Sequence, residues 1–452
     1  MKKHWLIISV IIALLAVSLA YWYFLFYGPG ATVTPIVSTS RPSNGFTPFS
    51  RPPSGGNNAS STDNTPSPSP SIEELANSPV PILRMINGNP VGGYGASTTW
   101  AGPKQTGTTT VSVRWIDRGR GNIYETTSDS LVVTTLSNTI LPRIYESVWN
   151  KNLSAFIGTM FSEKSDTPDV LYASLVKQII PVIKPAPANA SSTASTTPPT
   201  VISNLNNLTP YELKGRNLPD NMLGYAVSPK GDKIFMLVEE NSQASGYTAK
   251  FDGTSVVKIF TSPLLQVNVD WPEENTIVIT TKASANTLGY LYFVNAKTGA
   301  WKKILGPAFA LNGKTSHDAK YVLYSQLDNQ KKLTTGIYSV TKLNSVDAVI
   351  QTLADKCAWG NFFIHTVYCA VPTDPITAVY PDDWYIGRVS SLDKIWQVDA
   401  ETGSIHLVTP IIDRADRVID AYNLSLDIKD NFLYFMNKND LSLWSFDLSA
   451  KN

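Results

Sequence analysis

From residue 81 onward, apolar and polar side chains alternate with a period of two over short runs. Turn-forming residues punctuate the chain about every 8–12 positions, the spacing of a chain made of short strands. The runs are rich in β-branched and aromatic residues, and no convincing amphipathic helix interrupts them. One kind of run recurs with an aromatic residue near its centre: GNIYETT, DVLYASLV, SGYTAKFDG, GYLYFVNAKTG, TGIYSVTK, DKIWQVDAETG and LSLWSFDLS. The aromatics are Tyr124, Tyr172, Tyr247, Tyr292, Tyr338, Trp396 and Trp444, at intervals of 48, 75, 45, 46, 58 and 48 residues.

A second run sits one strand earlier in several repeats, as a turn followed by an apolar strand: VSPKGDKIFML, VDWPEENTIVI, TSHDAKYVLY and LDIKDNFLYF. In NAKTG (295–299) and DAETG (399–403) a glycine closes the aromatic strand and turns the chain into the next. Two intervals exceed the period. The first holds a 23-residue tract, 181–203, and the second a Pro/Asp-rich excursion around Val371–Ser391. Four short strands every 40–50 residues predict a β-propeller, and the aromatic strands predict seven blades over 81–449. In the fourth blade the strands fall near Leu265–Asp270, Thr276–Thr281, Gly289–Val294 and Trp301–Leu305. The seventh offers only Tyr422–Ile428, Phe432–Met436 and Leu443–Asp447. The unassigned apolar run Ile82–Ile86 is expected to supply its fourth strand and close the ring.

Ahead of the repeats the pattern changes twice. Trp5–Tyr27 is 23 residues without a charge, preceded by Lys2 and Lys3 and ending in Tyr21, Trp22, Tyr23, Phe24, Phe26 and Tyr27. Its length, basic flank and aromatic end predict one transmembrane helix within 1–27, with a cytoplasmic N-terminus and an extracytoplasmic remainder in the cell membrane. A signal peptide cleaved after Ser18-Leu19-Ala20 is the competing reading. Residues 28–80 hold 32 Pro, Ser, Thr and Gly among 53 positions, with five charges. Too little apolar surface remains to offset chain entropy, so a disordered stalk is expected. In 181–203, Pro, Ala, Ser and Thr make up 17 of 23 residues. It reads as a disordered insert in one domain, against the alternative of a domain boundary.

Charge and composition narrow the chemistry. Thirty-seven Lys+Arg against thirty-six Asp+Glu leave no basic field for a nucleic-acid partner. Two cysteines and four histidines exclude Cys-rich zinc or iron–sulfur modules, and no metal or cofactor is expected. His317, His365 and His406 fall on different repeats without ligand spacing. Neither GxSxG, HExxH nor a phosphate-binding glycine loop occurs, so no catalytic residue is assigned. Cys357 and Cys369 flank a hairpin turn near Gly360–His365 that sets them opposite each other, which predicts a disulfide outside the cytoplasm, against the alternative of two buried free thiols. The excursion PTDPITAVYPDDWYIGRVSS (372–391) gathers Asp382, Asp383, Trp384, Tyr385 and Arg388 into one loop on a propeller face. Carboxylates hold cations and exposed aromatics stack on sugars or anchor peptides, so these five are the candidate binding residues. The competing reading is a cap whose aromatics pack back onto the blade.

SPKGDKIFML, NAKTGAWKKIL and DAETGSIHLV resemble the repeats of WD-repeat-like and TolB-like propellers of bacterial envelopes. VRWIDRGRGNIYE, SNTILPRIYESVW and KCAWGNFFIHTVYCAVP are similar to uncharacterised membrane-anchored proteins of that kind. NAKTGAW also resembles the tryptophan-docking motif of quinoprotein propellers, without the adjacent cysteines of those enzymes. The resemblance spans roughly 80–449 and implies a fold and no catalytic residue. The function it implies is a membrane-tethered interaction module for a protein, peptide or glycan. A glycan-active envelope enzyme, or a scaffold for secretion or envelope assembly, is the alternative.

Overall fold

The computed structural model describes residues 71–100, 109–162, 167–178, 209–409 and 415–450. The expected membrane helix, nearly all of the expected stalk and the 181–203 tract lie outside them. Among the described residues no helix is long and apolar enough to cross a membrane. The stalk reading needs a correction at its end: Ile72–Asn77 is a helix (α1). The Ser71 hydroxyl accepts from the Glu74 N–H and the Glu74 carboxylate accepts from the Ser71 N–H, a reciprocal cap that starts the helix.

Strand β1 (Leu83–Asn87) precedes a series of antiparallel meanders. The first is β2 (Val91–Trp100), β3 (Thr109–Asp117), β4 (Ile123–Thr127) and β5 (Thr134–Ser137). The second is β6 (Ile144–Trp149), β7 (Ala155–Met160), β8 (Asp169–Lys177) and β9 (Tyr211–Asn217). The third is β10 (Met222–Val227), β11 (Lys233–Glu240), β12 (Gln243–Lys250) and β13 (Val257–Ser262). A seven-stranded sheet follows: β14 (Val267–Glu273), β15 (Thr276–Thr281), β16 (Leu288–Asn295), β17 (Trp301–Thr315), β18 (Tyr321–Leu327), β19 (Leu333–Ser339) and β20 (Asn344–Asp347). After a 3-10 turn at Ala354–Lys356 come β21 (Cys357–Trp359), β22 (Thr366–Pro372), β23 (Asp393–Asp399) and β24 (Ile405–Thr409), with the short helix α2 (Asp382–Tyr385) between β22 and β23. The last sheet is β25 (Ala421–Leu426), β26 (Phe432–Asn437) and β27 (Leu443–Asp447), joined by β1.

Buried apolar clusters fill the space between successive sheets. Ile116, Ile144 and Phe156 join the first sheet to the second. Ile157, Ile234 and Phe251 join the second to the third, and Phe235, Trp271 and Val294 join the third to the next. Val278, Leu291, Leu311 and Val322 pack within the long sheet, and Leu323, Ile337, Trp359 and Val398 lead out of it. Ile395, Leu426 and Phe435 link the last two sheets, and Val91, Trp115, Tyr434 and Leu443 bring the last back to the first. Each sheet is thus buried on both faces, which is why second strands such as IFMLV (234–238) are continuously apolar: Ile234 and Met236 face one cluster, Phe235 and Leu237 the other. Sheets stacked face to face in a closed ring form a β-propeller.

The recurrent aromatics all lie on the third strand of a meander, β4, β8, β12, β16, β19, β23 and β27. The pairing to the fourth strand slips beside Tyr124, Tyr247, Tyr292 and Trp396, so a bulge recurs where the aromatic sits. The closing strand pairs as the unassigned run suggested, one residue later: Leu83 lies opposite Phe446 and Met85 opposite Trp444. β8 and β9 are antiparallel neighbours with Lys177 opposite Tyr211, so the 181–203 tract connects two strands of one sheet. β17 differs from expectation. The strand expected near Trp301–Leu305 instead runs on through Gly306-Pro307 to Thr315, pairing with β16 up to Phe309 and with β18 from Phe309. Its first half is partly buried, with Ile304 and Leu305 packed on the core, and Ala310–Asn312 in its second half are buried.

Candidate functional site

The loop between β22 and β23 crosses one end of the ring as a strap. Its Asp382 carboxylate accepts from the Ala285 N–H (2.6 Å), in the turn between β15 and β16. Asp383 is buried, accepts from the Val379 N–H and pairs with Arg388 at 2.6 Å, which shapes the loop from within. Tyr385 Oη donates to Asp355 (2.6 Å) and accepts from Asn312 Nδ2 (2.6 Å). Burial, then the charge of Asp355, pushes the Tyr385 phenol far up, so it remains a neutral donor. Trp384 is turned inward, 4% exposed, and its indole N–H donates to Asp420 at 3.0 Å. Of the five residues singled out in the sequence, Asp383 and Trp384 thus hold the cap together, while Tyr385 and Arg388 keep contact with solvent.

Beneath the strap lies a buried ionic cluster. The Lys356 ammonium, fully buried, reaches Asp420 at 2.6 Å, Asp393 at 2.8 Å and Ser391 Oγ at 2.6 Å. The Lys356 and Lys438 nitrogens lie 5.5 Å and 5.0 Å from the centre of the Trp384 ring. Burial raises the Asp393 carboxyl, against the pull of Lys356, and burial lowers the Lys438 ammonium. Burying such charges is favourable only when every partner is in place, so this cluster fixes the strap. Next to it, Cys357 and Cys369 face each other on β21 and β22 and are joined by a disulfide.

The centre of the ring is hollow. A cavity of about 630 Å³ is walled by β2, β6 and β25, and one of about 480 Å³ by β14, β15 and β17. Both include Glu146, Lys314 and Asp355 in their walls, so they are two parts of one channel. Tyr145, Tyr422 and Trp384 add aromatic surface, and Asn268, Asp270 and Asn423 add polar groups. Asp355 is engaged by Tyr385 and by Asn312 Nδ2 (2.7 Å), and Asp270 accepts from the Trp271 N–H. Glu146 and Lys314, in contrast, have no side-chain hydrogen bond or ion pair among the described residues. Glu146 is solvent-exposed where it faces the channel, yet the surrounding walls desolvate its carboxyl enough to raise it above the ordinary range. Among the described residues no group of three or more His, Cys, Asp or Glu is placed to hold a metal ion.

No local motif marks Glu146, Lys314 and Asp355 in the sequence. They sit on three different repeats, and only ring closure brings them together. Trp301 packs edge-on against Phe260 and Tyr292 in the core between sheets, away from the channel walls.

The fold defines a β-propeller with a strapped central channel. Neither a protein-family model nor a curated protein matches the sequence. Among solved structures the chain is similar to TolB from Acinetobacter baumannii, at 8% identity over 78% of this chain and 79% of that one, with a TM-score of 0.38. It is similar to the Neurospora crassa Pan2 WD40 domain at 8% identity, covering 80% and 90% of the two chains, with a TM-score of 0.45. It is also similar to an oligogalacturonate lyase from Vibrio parahaemolyticus at 8% identity, covering 79% and 98%, with a TM-score of 0.46. They include an enzyme and do not decide whether this chain is one.

Proposed function

We propose that this chain is a seven-bladed, membrane-tethered binding module whose central channel receives a charged segment of a peptide or glycan. The count takes β17 as the outer strand of one blade and the inner strand of the next. The observation that carries the reading is Glu146 and Lys314: two charges of opposite sign in one channel, with no side-chain hydrogen bond or ion pair among the described residues and with aromatic side chains in the walls around them. Pockets that combine apolar walls with a few uncommitted polar groups are where ligands bind. The 23 uncharged residues at 5–27 support a single-pass anchor with the propeller outside the cytoplasm. The Cys357–Cys369 disulfide supports the same compartment, because such bonds persist where it is oxidising.

Crosslinking and co-purification of the full chain from detergent-solubilised envelopes, with Glu146→Gln and Lys314→Gln in parallel, test the proposal. A specific partner or glycan retained by the parent protein and lost from both variants is the expected result. Equal retention by all three places the ligand elsewhere. The raised Glu146 carboxyl also favours a second reading, an acid catalyst acting on a glycan. Release of reducing ends from envelope polysaccharide, abolished by Glu146→Gln, would replace binding with catalysis.

A further inference from the structure

At the end of the ring opposite the strap, the hairpin between β21 and β22 displays three consecutive large apolar side chains. Phe362 is 65% exposed, Phe363 53% and Ile364 39%. Their backbone is not loose. The Asp430 carboxylate, from the turn between β25 and β26, accepts from the N–H groups of Asn361 (2.8 Å), Phe362 (3.1 Å) and Phe363 (2.9 Å). Asn361 Nδ2 donates to the Leu426 carbonyl at 2.9 Å, a second tie to the same neighbouring sheet. The two phenyl rings meet edge to face at 4.9 Å, and Ile428 in the adjacent turn is also exposed. Apolar side chains held rigidly in water mark a surface that meets something apolar.

The direction of the strands shows at which end of the ring the N-terminal chain enters. β1 begins beside the end of β27: Leu83 faces Phe446, and the Asp447 N–H donates to the Ile82 carbonyl. The end of β27 faces the start of β26, next to the turn that carries Asp430. The chain coming from the uncharged run at 5–27 therefore joins the ring at the end that carries Phe362–Ile364. We propose that this tip is a membrane-contact element, inserting Phe362 and Phe363 into the interfacial layer of the bilayer that holds the N-terminal run. The strapped end of the channel then faces away from the bilayer. Phe is among the side chains that interfacial elements bury at the headgroup boundary, and a second contact beside an anchor strengthens membrane attachment. The inference rests on the membrane-anchor reading above.

Both native cysteines are bonded, so an introduced cysteine is the only free thiol. Full-length Phe363→Cys, with Phe362→Cys as a second site and Val379→Cys on the strap as the control, is spin-labelled. The labelled proteins are reconstituted into vesicles of phosphatidylethanolamine and phosphatidylglycerol. The expected result is loss of accessibility to an aqueous nickel complex at 362 and 363, with gain of accessibility to oxygen, while 379 stays open to nickel. Equal nickel accessibility at all three positions, in chain that resists alkaline extraction, overturns the contact and leaves the anchor standing. Chain washed out by alkaline extraction overturns both. Protection that appears only after envelope proteins are added assigns the tip to a protein partner instead and overturns the bilayer contact.

Discussion

Arg84 carries its charge into the seam between the last sheet and the first. It lies on β1, is 6% exposed, and donates to the Thr127 carbonyl (3.0 Å) and Thr126 Oγ1 (2.9 Å) of β4. No carboxylate meets it among the described residues, and burial lowers its pKa. Its hydrogen bonds therefore staple the closing strand to the next sheet. Arg84→Met keeps the stem and removes the staple; denaturant unfolding should show a loss of about 2 kcal/mol, the worth of charge-assisted hydrogen bonds. Asp318 gives a pH signature. Partial burial works against its ionisation, but the Ser316 hydroxyl, the Lys320 N–H, the His365 ring and the Lys320 ammonium outweigh it and hold the carboxyl at about 2. A folded pKa below the ordinary 3.8 contributes stability above that value, which is lost as pH falls toward 2. Asp318→Asn should flatten the melting-temperature profile across that window.

At the scale of elements, the closing strand was legible in the sequence for a simple reason. The last repeat lacked a fourth strand, and Ile82–Ile86 was the apolar run left over. A chain beginning at Ser78 should melt normally, whereas one beginning at Asn87 should lose about 3–5 kcal/mol from lost burial and the Arg84 bonds, and aggregate through the bared β27 edge. Equal melting temperatures would refute the closure. The third-strand aromatics were legible because a repeat writes the same side chain into the same place each time. β17 was not, since Gly306-Pro307 has the local chemistry of a strand end and only pairing on both sides holds the run together. The 372–391 loop announced itself by disturbing the period. Which of its aromatics would turn inward depended on Lys356, Asp420 and Lys438, which lie on other segments. Glu146 and Lys314 were invisible for the same cause: their proximity is a property of the ring and leaves no spacing to read.

At the scale of the whole molecule, the pairing of β8 with β9 makes a further prediction. Replacing 181–203 by a short turn should leave the melting temperature within about 2 °C, because closure entropy depends only logarithmically on loop length. A collapse in stability would mean that the tract separates two folding units.

β17 has a different bearing on how the ring can move. Among the described residues other sheets are joined by loops, whose backbone absorbs small rotations, but inside the seven-stranded sheet one strand pairs with β16 over its first part and with β18 over its second. The two halves of the long sheet are riveted and must tilt together. Amide exchange should accordingly be slow at the ladder-facing amides on both sides of this joint, in Trp301–Leu305 before it and in Asn312–Thr315 after it, while loops such as 263–266 exchange fast. Any breathing that widens the channel is then borne by the looped joints. Because Lys314 rides on the riveted block and Glu146 on β6, a change of aperture registers as a change in the span between those two charges.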